Sequence, residues 1–282
     1  MSFTFNGREY NVDGWIREAI SLVELLAKNL KLLDPLPSDT DLTDADEKEI
    51  QSQINAMLIL PPFAVLDFWS AFAAHHLRQL ATSLRALSRT TQPRAFSTLI
   101  QVLSLLPDPK TEPYFRRFIQ SPQYADLANI IADGFVQGIR WKRPSGPGQI
   151  CCLIIHFLFW GNSTKGDDGK ASIDADVRTK LARKLDALIG TPEFERLPEI
   201  QRVDIERLHG ILKCIEGMPA DYYLSSTRSY LEGQVDNCGR SSCDEEAELA
   251  CSKCKTVRYC GKKCQTWHWK NGHKLRCFQV AY

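Results

Sequence analysis

No stretch of this sequence is long and apolar enough to cross a bilayer. The longest apolar run, Ile150 to Trp160, has eleven residues and is interrupted by His156, where a helical span needs about 20. A membrane protein is not expected. Charge of one sign is equally scarce, with 35 Lys and Arg against 34 Asp and Glu and a formal charge of +1. Proteins that hold nucleic acid or membranes by bulk charge carry a basic excess, so those classes are disfavoured. The opening residues, MSFTFNGREYNVDG, lack the basic-then-apolar pattern of an export signal, which predicts an intracellular protein of the cytoplasm or nucleus. A fixed-period repeat is also missing, leaving a stacked solenoid unsupported. Disorder throughout is excluded: 44% hydrophobic and 24% charged residues are ordinary for a globular chain and sufficient to bury a core. At 282 residues the length is near two domains, taking about 150 residues for each.

What is present is mostly helical patterning. Phe3 to Tyr10 alternates around Asn6-Gly7, which predicts a small hairpin. Asp13 then opens a helix with Trp15, Ile16, Ala19, Ile20, Val23, Leu26 and Leu30 at helical spacing. Asp34 to Thr43 reads as a loop, and Thr43 with Asp46 as a capping start for a helix through Ile50, Ile54 and Leu58. Pro61-Pro62 opens the next helix, since proline is tolerated in a first turn. Further helical stretches are predicted near 93–106, 112–119, 123–138, 149–160, 173–189 and 200–215. The fold class is therefore mainly α, with an all-helical domain over 1–230 and a separate unit over 231–282.

That second unit is marked by cysteine. Seven of the ten cysteines lie between Cys238 and Cys277, and in a reducing compartment such a cluster points to metal rather than disulfides. The segment CGRSSCDEEAELACSKCKTVRYCGKKCQTWHWKNGHKLRC holds four short pairs: Cys238/Cys243, Cys251/Cys254, Cys260/Cys264 and His273/Cys277. Eight soft ligands suffice for two tetrahedral zinc ions with no open position for water, so the sites are structural. The last two pairs are i, i+4 and share a helix face. Spacing does not say which pairs share an ion, because four pairs can be joined in three ways. His268, at i+4 from Cys264, competes with His273 as a ligand.

The segment resembles a MYND-type zinc finger, down to Tyr259-Cys260, Cys264-Gln265, Trp269 and Gly272-His273-Lys274. The resemblance implies an interleaved arrangement: Cys238, Cys243, Cys260 and Cys264 on a first zinc, and Cys251, Cys254, His273 and Cys277 on a second. It favours His273 over His268. The four residues inside Cys238-x4-Cys243 depart from the family, which often has two there, without removing a ligand. The resemblance also implies a protein partner, held through a short proline-containing peptide, with Gln265 and Trp269 matching the peptide-contacting steps. Trp269 reads equally well as filler between the zinc knuckles.

Other constellations fail on their own spacing. Gly161 to Ser172 reads as a solvated loop and not a phosphate loop, because Lys170 is followed by Ala171. Asp39 to Asp44 is not a calcium loop, because Asp44 stands where the turn glycine belongs and Ile50 where the bidentate Glu belongs. His75 and His76 project about 100° apart on a helix, Cys214 and His209, five apart, face different ways, and Cys151 and Cys152 read as small core residues. In the finger, nine basic residues oppose four acidic ones. Counting seven thiolates and two Zn²⁺ leaves only a mild positive charge, so no strong case for nucleic acid arises. The sequence predicts a non-catalytic interaction protein, a transcriptional or ubiquitin-pathway adaptor, with no catalytic residues. The alternative is an enzyme, such as a SET-type lysine methyltransferase or another transferase, with the finger as an accessory. No Asn-His or His-x-Asp step supports it.

Overall fold

A computed structural model describes residues 2–161, 166–219, 221–280 and 282. The chain opens with the antiparallel pair β1 (Ser2–Phe5) and β2 (Arg8–Asn11), registered Ser2 to Asn11 and Phe5 to Arg8. Asn6 and Gly7 form the turn with φ of 48° and 74°, the geometry that suits the twist of a two-residue hairpin. Phe3, Phe5 and Tyr10 pack edge-on around the buried Trp15.

Helix α1 (Val12–Asn29) follows at once, and its cap differs from the expected Asp13. Asn11 is the residue still in extended conformation, and its side-chain oxygen accepts from the Gly14 N–H at 2.8 Å. Asp13 lies in the first turn, where its charge favours the helix dipole. Helix α2 (Asp44–Leu58) starts with a reciprocal cap: the Thr43 hydroxyl accepts from Asp46 N–H and the Asp46 carboxylate from Thr43 N–H. In the preceding loop, Asp41 accepts from the backbone N–H groups of Arg94 and Ala95 at the start of α4 (Pro93–Ser104). The acidic run is thus spent on helix starts.

Helix α3 (Pro62–Ala86) is buried along most of its length and packs on α1, α4 and α5 (Pro113–Gln120). The stretch expected at 123–138 divides into a 3₁₀ turn, Pro122–Tyr124, and α6 (Leu127–Gln137), which ends at Gly138. Helix α7 (Pro147–Trp160) is apolar nearly all round and accordingly buried, with α8 (Ala175–Leu188) beyond it in sequence. After the single turn α9 (Pro192–Glu195), α10 (Glu199–Gly217) makes the most extensive packing against α7. Helix α11 (Tyr222–Gly233) has Leu224 as its one fully buried residue, which is why periodicity did not single it out. It runs past the division expected at 230.

The glycine- and aspartate-rich loop after α7 was expected to be solvated, and its residues 162–165 lie outside the described ones. From 166 onward it is tied to the body. Arg178 on α8 is 1% exposed at its side chain and is paired with Asp168 and with Glu216 at 2.7 Å. Among the described residues no helix is long and apolar enough to cross a membrane.

The entry into α7 is packed backbone to backbone. Gly148 N–H donates to the buried Gln201 Oε1 at 2.5 Å, and a Cβ at Gly148 would come within 2.4 Å of Gln201 Cα. Since the obstacle is main chain, α7 and α10 have to separate to admit it. Gly148→Ala is therefore expected to destabilise the protein by about 1–3 kcal/mol, measured as a lower urea midpoint with an unchanged slope.

Candidate metal centre

The C-terminal unit is built on a short antiparallel pair, β3 (Leu249–Ala250) with β4 (Arg258–Tyr259). Just beyond β3, Cys251 N–H donates to Val257 O, and Lys255 N–H returns to Cys251 O at 2.9 Å. This closes a knuckle that turns the Cys251 and Cys254 sulfurs the same way, with Lys255 at a φ of 59°. On the other flank of β4, Gly239 N–H donates to Arg258 O at 2.8 Å, bringing Cys238 and Cys243 beside Cys260. Helix α12 (Lys262–His268) supplies Cys264. The chain then continues through a wide turn, Trp269–His273, to α13 (Lys274–Arg276). Gly272, at a φ of 129°, breaks the helical path there, a conformation that glycine adopts without a Cβ penalty. The break redirects His273 toward the knuckle.

Two clusters result. The ligand atoms of Cys238, Cys243, Cys260 and Cys264 lie within 4.8 Å of one another, as do those of Cys251, Cys254, His273 and Cys277. Within the first, Cys243 to Cys260 and Cys260 to Cys264 are each 3.6 Å between sulfurs. In the second, Cys251 to Cys277 is 3.7 Å and Cys254 Sγ to His273 Nε2 is 3.7 Å. Zinc–sulfur bonds of 2.3 Å at tetrahedral angles set an S···S edge of roughly 3.8 Å, so the spacing suits zinc. Electrostatics point the same way. Burial works against the Cys254 thiolate, but hydrogen bonds from His273 and Thr256 outweigh it and bring its pKa down to about 5. The neighbouring sulfurs of Cys264 and Cys243 push Cys260 up to about 12. Sulfurs this close cannot all carry charge together, and a divalent cation among them removes that conflict.

His273, not His268, lies within a cluster. The His268 Nδ1 is 3.1 Å from the Tyr259 hydroxyl, and its ring stacks on His273 at 5.1 Å. Tyr259 is fully buried beside both clusters. Trp269 is half-buried, edge-on to the His273 ring at 5.9 Å. The Gln265 amide, also half-buried, forms no hydrogen bond among the described residues.

A family model for the MYND finger matches residues 236–277. These residues form a MYND finger. MYND fingers bind zinc and are protein-interaction modules, and each cluster is compatible with one ion. No family model matches the helical region, and no solved structure matches the chain. Among curated proteins, the chain is 44% identical over 50 residues to ubiquitin carboxyl-terminal hydrolase 19 of Arabidopsis thaliana, covering 18% of this chain and 7% of that one. It is 51% identical over 39 residues to ubiquitin C-terminal hydrolase 15 of Oryza sativa subsp. japonica, covering 14% and 4%. Ubiquitin carboxyl-terminal hydrolase 17 of Arabidopsis thaliana matches at 35% over 88 residues, covering 31% and 12%. The chain thus spans only a small part of the length of these relatives.

Sequence spacing did not reveal how the MYND finger meets the helices. Tyr114, on α5, donates its hydroxyl to Arg276 O at 2.8 Å and accepts from Phe278 N–H at 2.9 Å. The Tyr282 hydroxyl donates to Tyr114 O at 2.7 Å. Arg276 forms a two-pronged pair with Asp67 on α3, whose carboxylate is 2% exposed. Burial raises the Asp67 pKa, and Arg276 only partly offsets it. Phe278 lies against His75 and Tyr114.

The histidine and cysteine pairs set aside above also behave differently from helix geometry alone. His75 and His76 do not diverge, since their ring nitrogens and a Glu24 oxygen gather within 4.8 Å. Glu24 is exposed and lies 3.2 Å from His76 Nε2, a hydrogen bond that needs no metal. Cys152 has a base on its own helix, with Sγ 3.5 Å from His156 Nε2. Burial pushes the thiol up to about 12 and the imidazole down to about 4. The pair is neutral, not an activated nucleophile.

This docking changes what zinc removal should do. A free-standing finger would unfold and leave the helices intact, whereas here its loss strips Asp67 and Tyr114 of their partners. Metal analysis is expected to find two zinc ions per chain, and chelation to lower the thermal midpoint of the helical signal itself. Tyr114→Phe with both ions retained should cost about 1–3 kcal/mol, because it leaves the buried Phe278 N–H unpaired. Denaturant titration of the zinc-loaded variant measures this.

Proposed function

We propose that the protein is a non-catalytic adaptor whose MYND finger recruits a protein partner through a short, extended, proline-containing peptide. The observation that carries this reading is the i, i+4 placement of Gln265 and Trp269 along α12 and its C-cap, a spacing that puts side chains on one helix face. The Gln265 amide has no hydrogen-bond partner among the described residues and the Trp269 ring is half-buried beside a ligand, yet neither is itself a ligand. An amide with spare donors and an acceptor suits an extended backbone, and an indole face suits a proline ring. Leu249 on β3, exposed elsewhere in the finger, adds apolar surface of the kind that strand addition uses. All eight Cys and His ligands are committed to closed, structural sites. A role in the ubiquitin pathway draws support from the relatives, which are named as ubiquitin carboxyl-terminal hydrolases. The shared segment is short, so the reading concerns recruitment and not the hydrolase reaction.

Trp269→Ala and Gln265→Ala should weaken binding of proline-containing peptides to the whole zinc-loaded chain. A buried aromatic anchor contributes about 2 kcal/mol, roughly a thirtyfold loss for Trp269→Ala. Peptide titration, with zinc content measured for each variant, is the test. Unchanged affinity in a Trp269→Ala protein that keeps two ions would return the indole to the role of filler.

A further inference from the structure

The helical body carries a groove of its own. It lies where the end of α2, the 141–149 segment entering α7 and the start of α10 meet, and it encloses about 530 Å³. No residue of the finger lines it. Three large apolar side chains stand open along it: Leu58 at 58% exposure, Trp141 at 41% and Ile200 at 62%. Leu197, Pro144 and Pro198 also line it. Monomeric proteins seldom leave contiguous apolar surface open without use, and an exposed Trp among aliphatic side chains and arginines is the composition of a binding hot spot.

The charges are one-sided. Arg143 and Arg196 line the groove, no carboxylate does, and neither arginine forms an ion pair among the described residues. The nearby carboxylates of Glu47 and Glu195 are held by Lys142 and Arg202. Glu199, exposed at the start of α10, does not line the groove. The wall is also preformed: Gly148 is bonded to Gln201, and the Ser145 hydroxyl lies 2.9 Å from that of Ser104. A ligand therefore meets a surface that need not be ordered first.

We propose that this groove binds an acidic amphipathic segment of a protein partner, its apolar side chains against Leu58, Trp141 and Ile200 and its carboxylates on Arg143 and Arg196. Charge complementarity selects this occupant over a second copy. A two-fold contact through the groove would set unpaired arginines against each other.

The test uses the full zinc-loaded chain and a series of labelled peptides with Leu or Phe at i, i+3, i+4 and i+7, the positions of a helix laid in a groove. One half of the series carries Glu at the remaining positions and the other half Lys. The Glu peptides should bind and the Lys peptides should not. Trp141→Ala should weaken the Glu peptides roughly thirtyfold, while Trp269→Ala in the finger leaves them unchanged, so this site stands or falls apart from the finger reading. Arg143→Glu with Arg196→Glu should lose the Glu peptides and gain the Lys peptides, a reversal that misfolding cannot produce. Absence of saturable binding by every Glu peptide, equal binding of both halves, or indifference to Trp141→Ala would overturn the proposal. So would a dimer abolished by Ile200→Asp, or flotation with phosphatidylserine vesicles that the arginine reversals abolish.

Discussion

The C-terminal unit has too little aliphatic carbon to hold itself together, and the rest of its architecture follows from that constraint. Metal–ligand geometry takes the place of a core. Two tetrahedra built from alternating pairs cross the same short hairpin, so the segments carrying Cys238, Cys251, Cys260 and His273 constrain one another. Tyr259 lies buried beside both clusters, and the Gly272 break turns His273 into the second. The finger then lends its rigidity to the body. Backbone groups of Arg276 and Phe278, fixed by the adjacent Cys277, are the ones that meet the Tyr114 hydroxyl.

Legibility in the sequence tracked how local the physics was. Helix starts at Thr43 and Pro62 could be read directly, because a cap or a first-turn proline acts within three or four residues. The Asn11 cap was misread as Asp13, since both are competent acceptors and only the end of β2 decides between them. Helix α11 escaped because a helix with one fully buried residue leaves almost no periodic trace. The metal ligands stood out because thiol pairs at knuckle spacing have few other uses. Their grouping did not follow from spacing and rested on family resemblance. Docking was invisible altogether: Tyr114 and Asp67 look like ordinary helix residues, and their partners are more than 160 positions away. The 100° rule failed for His75 and His76 because it fixes where side chains leave the helix, not where their ring nitrogens end.

Two surfaces of different chemistry emerge on one chain. The finger offers an indole and an amide beside a zinc ligand, suited to an extended backbone. The body offers an apolar groove whose two arginines form no ion pair among the described residues, as a segment bearing carboxylates would need. Their physical bases differ as well: the first exists only while metal holds the finger, and the second rests on helix packing around Gly148 and Gln201. Linking two weak sites on one rigid framework raises overall affinity when a partner can reach both.

The Asp67–Arg276 pair shows how far the finger is adapted to this particular body. A carboxylate left buried without a counter-charge is strongly unfavourable, and the one charged group bonded to Asp67 among the described residues comes from the finger. Arg276 is not a metal ligand, so zinc chemistry does not demand it. The eight ligands and the hairpin fall within the segment that the MYND family model matches. Arg276, Phe278 and Tyr282 meet Asp67 and Tyr114 through contacts that the metal sites do not require. The similarity to the hydrolases covers short stretches, 12% or less of each of those described, which fits a finger shared as a module. In this chain the finger is fastened to the helical framework by the Asp67–Arg276 pair and the hydroxyls of Tyr114 and Tyr282.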